Sequence, residues 1–124
     1  MEKIVQVGGK ELKLKTSAAI PRIYRLVYGR DIFQDFSLLF EGIKNKDNLK
    51  AYELPPDVFT IAENILHLMN RYADDTQPDS VEDWLDQFET LDIIPLIPEI
   101  VTMWNIENTT TSKAKKNTEK QPGK

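Results

Sequence analysis

The side chains able to do chemistry are few and far apart. His67 is the one histidine and the chain has no cysteine, so a zinc centre built on imidazole or thiolate finds no second ligand of either kind. His67 lies between Leu66 and Leu68 within a helical pattern, and reads as a residue of that helix's polar face rather than a ligand or a catalytic base. Carboxylates gather at Asp74-Asp75 and at Glu82-Asp83-Asp86. Acids in loops and first helical turns are commonly solvated or placed to favour the positive end of the helix dipole, which leaves them no need of a metal or of acid/base work. Gly8-Gly9 lacks the glycine spacing and the lysine of a phosphate-binding loop and reads as a turn, and no serine or threonine has an evident base to activate it. The expectation is a non-enzymatic protein with no catalytic residue, no metal site and no cofactor.

The elements around these residues are easier to read. Ile4-Val5-Gln6-Val7 and Lys10 to Lys15 are two strand-like runs joined at Gly8-Gly9, with Leu12 and Leu14 alternating with lysines. Two glycines tolerate the positive φ of a tight hairpin turn. An isolated two-stranded hairpin is marginal in water, so this one must pack on the rest of the chain or pair with strands of another copy.

A helical corner follows. Ile20, Ile23, Tyr24 and Val27 recur at spacings of three and four, with Arg22 and Arg25 pointing away; Gly29 ends that helix, and Asp31 can cap the next. The second helix carries Ile32, Phe33, Phe36, Leu39, Phe40 and Ile43. Gly29, Arg30 and Asp31 form the structural corner, with Arg30 and Asp31 expected to hold the two helices together.

Asn45 to Leu54 is polar and reads as a loop, and Pro55-Pro56-Asp57 opens a helix over 57–72. Its stripe of Val58, Ile61, Ala62, Ile65, Leu68, Met69 and Tyr72, widened by Phe59 and Leu66, predicts a central helix contacted from more than one side. Ser80-Val81-Glu82-Asp83 is a capping signature before Val81, Trp84, Leu85 and Phe88, with Asp83 expected to reach back. In the final apolar segment, Pro95 and Pro98 predict a turn or short helix before a last helix beginning near either proline.

The fold class expected is mainly α, within α+β: a small amino-terminal hairpin over 3–15, then a bundle of about five helices, in one domain spanning 1–107. Residues 108–124 are expected to form a disordered tail. Residues 113–124 carry five lysines and one acid, a net of +4, which leaves −8 on residues 1–112 of a chain whose total is −4. An acidic body makes a poor duplex-binding surface. There is no run of about 18 apolar residues to span a bilayer and no signal-like start, so the expectation is a cytoplasmic protein without a membrane partner.

The aromatic residues are numerous for one modest core. Phe33, Phe36, Phe40, Trp84, Phe88 and Trp104 are the candidate contacts with a partner or another copy, because large amphipathic rings carry much of the energy of assembly surfaces.

The hairpin, the run Thr16-Ser17-Ala18-Ala19-Ile20-Pro21-Arg22 leading into Tyr24-Arg25 and Gly29-Arg30-Asp31-Ile32, the acidic Trp84-Leu85 helix and the closing Ile100-Val101-Thr102-Met103-Trp104 resemble the tail assembly chaperones of long-tailed phages and prophages of Gram-positive bacteria. The resemblance spans residues 1 to about 106. It implies a non-enzymatic, self-associating protein, absent from the mature virion, that coats and solubilises the tape measure protein and helps recruit the major tail protein. It also implies a longer product made by programmed ribosomal frameshifting: Lys115-Lys116-Asn117 is compatible with an adenine-rich slippery run, and equally with an ordinary solubilising tail. The rival from another class is a small nucleic-acid-associated regulator using the corner as a helix-turn-helix, with Asp31, Gln34 and Asp35 outward on its second helix. That acidic face would meet phosphates with the wrong charge.

Overall fold

The computed structural model describes residues 1–44 and 53–106. The tail expected over 108–124, its frameshift segment and most of the loop after Asn45 lie outside the described residues. Strands β1 (Glu2–Val7) and β2 (Lys10–Lys15) form an antiparallel hairpin with Val7 opposite Lys10 and Glu2 opposite Lys15. Gly8 and Gly9 both take positive φ, 54° and 83°, as a two-residue turn of this twist requires. Alternation does the rest: Val5, Val7, Leu12 and Leu14 turn inward and are buried.

Five α-helices follow the hairpin among the described residues: α1 (Ala19–Tyr28), α2 (Ile32–Ile43), α3 (Pro56–Ala73), α4 (Val81–Leu85) and α5 (Ile97–Met103). A single 3-10 turn, Ile94–Leu96, precedes α5, with Pro95 and Pro98 each in an opening turn where a missing amide proton costs no intrahelical bond. Leu54, read as part of a polar loop, is instead 6% exposed and belongs to the core. Helix α3 is the centre: β2, α1, α2, α4 and α5 all pack on it. Its stripe is therefore wide, with Ile61, Ala62, Ile65, Leu66 and Met69 buried. No helix among the described residues is long and apolar enough to cross a membrane.

The corner between α1 and α2 is built as an electrostatic joint. Gly29 closes α1 in the left-handed region (φ 68°), its amide donating to the Arg25 carbonyl at 2.8 Å. Asp31 caps α2 by accepting from the Phe33 amide at 3.0 Å. Asp35, which the nucleic-acid reading of the corner would set outward, is instead 1% exposed. It accepts from Arg30 through Nε at 2.8 Å and Nη2 at 2.7 Å. Tyr24 of α1 donates its hydroxyl to the same carboxylate. A buried charge is tolerable only when paired and fully hydrogen-bonded, and this one is held from the loop and from α1 at once.

Two further polar residues tie α3 to its neighbours from within. Asn70, 1% exposed, donates from Nδ2 to the Lys13 carbonyl and accepts at Oδ1 from the Trp84 indole, each at 2.8 Å, so one carboxamide joins β2, α3 and α4. His67 is likewise 3% exposed and not on a polar face, a correction to the sequence reading. Its Nε2 donates to the Pro78 carbonyl at 2.8 Å, and its ring lies 5.4 Å from that of Trp84. The expected α4 cap is present in the Ser80 hydroxyl, which accepts from the Asp83 amide at 3.0 Å.

Candidate interaction surface

The six candidate contact aromatics do not share one fate. Trp84 is fully buried and Phe36 is 1% exposed; both are core residues whose rings are closed to a partner in this conformation. The physical reason is the width of α3, which lets α2 and α4 each bury an aromatic face against the centre. Phe40, Phe88 and Trp104 are half-buried, with the Trp104 ring tilted against that of Phe36 at a centroid distance of 5.2 Å and its indole donating to the Met69 sulfur at 3.3 Å. Phe33 alone of the six is exposed, at 49%.

The larger exposed apolar area lies on α1. Leu26 and Val27 are 69% and 61% exposed. Val27 shares the spacing of the apolar stripe yet stays exposed, while α1 meets the bundle through Ile20 and Tyr24, which are both fully buried. Ile23 is half-buried one turn before Val27, so the two form a continuous strip. Arg22, one turn before Leu26, and Arg25 are also exposed, and α1 has no acidic residue. This is a basic and apolar face on a body whose net charge is negative.

Two hollows lie between α1 and α3. Toward the end of α3 is one of about 180 Å³, lined by Ile20, Ile23, Leu68, Arg71 and Tyr72. Toward the start of α3 a second hollow, of about 190 Å³, is lined by Tyr24, Arg30, Asp57, Thr60, Ile61 and Asn64. The apolar hollow is framed by cations: Lys15 sits 5.6 Å from the Tyr72 ring centroid, and Arg71 is held by the Gln77 carbonyl and by Asp79. Arg71 is thereby fixed in place, whereas Arg22 and Arg25 project from one helix.

Burial, followed by the adjacent Asp35 carboxylate, pushes the Tyr24 phenol above its ordinary value, and burial with the nearby Glu82 does the same for Tyr28. Neutral phenols of raised pKa are poor bases and poor nucleophiles at neutral pH. Among the described residues, no group of three or more His, Cys, Asp or Glu side chains is placed to hold a metal ion. What the surface offers is shape, apolar area and guanidinium charge. Leu26 carried a usable signal in the sequence: it is a large apolar residue beside Arg25 and off the stripe defined by Ile20, Ile23, Tyr24 and Val27. No family model, no curated protein and no solved structure matches this chain.

Proposed function

We propose that this protein is a non-enzymatic tail assembly chaperone of a long-tailed phage or prophage, acting in the host cytoplasm and absent from the mature virion. It coats the tape measure protein while that chain is long, helical and unprotected, and it helps bring in the major tail protein. The observation that carries the reading is the exposed side of α1, where Leu26 and Val27 stand uncovered and Arg22 lies one turn before Leu26. An amphipathic helix lying on it would cover its own apolar stripe, and a carboxylate flanking that stripe would meet the Arg22 guanidinium. The acidic remainder of the body keeps a coated client dispersed through like-charge repulsion. The resemblance of the hairpin, the Gly29-Arg30-Asp31 corner and the closing Trp104 segment to such chaperones supports the same reading.

Co-expression with a tape measure protein from the same genome is the test. The intact chain should raise the soluble fraction of the client and co-purify with it, and Leu26→Asp with Val27→Asp should abolish both while leaving the chaperone folded. No gain in client solubility with the intact chain would overturn the function. A gain that survives the double substitution would move the client to another surface.

A further inference from the structure

The hairpin has two outer edges, and the fold treats them differently. Because Gly8-Gly9 is a two-residue turn closed by Val7 and Lys10, the paired hydrogen bonds of this ladder fall at Val7·Lys10, Val5·Leu12 and Lys3·Leu14. The Thr16 amide donating to the Met1 carbonyl at 2.9 Å continues the same phase. The main-chain groups of Glu11, Lys13 and Lys15 therefore face out on one edge, and those of Glu2, Ile4 and Gln6 on the other. The β2 edge is engaged, with Asn70 donating to the Lys13 carbonyl. Among the described residues, nothing bonds to the outward main-chain groups of Glu2, Ile4 or Gln6.

An open edge is a template for another strand unless something blunts it. No proline or bulge interrupts β1. The one lysine of β1, Lys3, is drawn to the inner face and bonded to Glu99 of α5 at 2.6 Å. At the middle of the edge stands Ile4, 54% exposed.

We propose that this edge pairs with the β1 edge of a second copy of the chain, antiparallel and centred on Ile4, to make a continuous four-stranded sheet across a two-fold axis. The order of residues is self-complementary in that register. Ile4 lies against its own symmetry mate, each covering the other's apolar side chain, and Glu2 faces Gln6, whose carboxamide donates to the carboxylate. The outward amides and carbonyls of residues 2, 4 and 6 are all in phase to bond reciprocally. A parallel arrangement would set Glu2 beside Glu2, a like-charge pair that costs stability. This interface uses neither α1 nor the hollows beside it, so it stands whether or not the protein has a helical client.

The mass of the full-length chain in solution, followed across concentration by sedimentation equilibrium, tests the proposal together with two variants. The intact chain should associate, and Ile4→Lys, which sets two ammonium groups face to face on the axis, should halve the assembly's mass with unchanged helical circular dichroism. The second variant is Ile4→Cys in a chain that has no cysteine of its own. Residues facing each other across a hydrogen-bonded antiparallel pair have Cα atoms about 5.5 Å apart, within the roughly 4.4–6.8 Å a disulfide accepts. Ile4→Cys should cross-link into dimers on mild oxidation, and Lys13→Cys, on the same face but across the hairpin, should cross-link at least tenfold more slowly. A mass of one chain at every concentration would overturn the proposal, whether the edge is then covered by residues beyond 106 or stays bare. So would an assembly unaffected by Ile4→Lys, or equal cross-linking at positions 4 and 13.

Discussion

The hydroxyl of Tyr24 donates to Oδ2 of Asp35 at 2.5 Å, across the corner between α1 and α2. That oxygen also accepts from Arg30 Nε, and its partner Oδ1 accepts from Arg30 Nη2, so the carboxylate is saturated although its side chain is only 2% exposed. The corner angle is set by this convergence of two helices and a loop on one buried charge. It also carries the α1 face into its position beside α3.

Asp35→Asn should lower the stability of the chain by on the order of 2 kcal/mol, because a carboxamide cannot accept both guanidinium bonds and turns its own donors toward Arg30 and Tyr24. Tyr24→Phe removes one neutral donor and should cost less, about 1 kcal/mol. Urea denaturation of the two variants beside the intact chain measures both. Equal losses would mean that the hydroxyl and not the ion pair holds the corner.

Asn70→Ala should be the most damaging single polar substitution in the chain. It leaves the buried Trp84 indole N–H and the part-buried Lys13 carbonyl without partners, for a combined loss of roughly 2–4 kcal/mol. Asn70→Leu should not restore the loss, since the orphaned groups remain. Denaturation midpoints supply the energies, and hydrogen exchange of the Trp84 indole proton reports the bond directly: it should accelerate in both variants, and unchanged exchange would contradict the assignment.

Glu63 on α3 titrates in the opposite sense to a paired acid. Burial raises its carboxyl above the ordinary value of 4.5. A group whose folded pKa is raised favours the native state below its unfolded pKa, and that contribution disappears as the pH rises through the folded value. At pH 7 the ionised side chain therefore opposes folding, and Glu63→Gln should melt at a higher temperature than the intact chain. The difference should shrink as the pH falls below about 4.5. Thermal melts at pH 7 and at low pH check this, and a variant less stable at pH 7 would show that Glu63 makes a favourable contact that outweighs its burial.

Much of the fold is legible in local pattern. Leu12 and Leu14 alternate with lysines, and Pro55-Pro56-Asp57 and Ser80 mark helix starts. The buried polar residues are legible only in part. Asp35 lies three positions after Ile32 and four before Leu39, both buried, and Asn70 lies four after Leu66, so each occupies a core-facing position of its helix. Spacing of this kind says that a side chain is buried. It does not say what satisfies it, and a polar residue on an apolar stripe, such as His67, is as readily read as a surface residue at the stripe's margin. The aromatic residues present the same ambiguity in reverse: Phe33 and Phe36 share one helix and differ completely in exposure.

The sequence by itself determined the hairpin, the helix starts, the left-handed stop at Gly29 and the acidic character of the body, because each rests on the conformational preference or charge of residues close together in the chain. Tertiary structure alone decided that Asp35 is enclosed by Arg30 and Tyr24, that Asn70 joins Lys13, 57 residues before it, to Trp84, and that Leu26 and Val27 stay exposed. It also decided which hairpin edge is engaged and which is open. Burial and hydrogen-bond satisfaction are properties of what surrounds a residue. Those surroundings come from helices and strands that only the packing around α3 brings together.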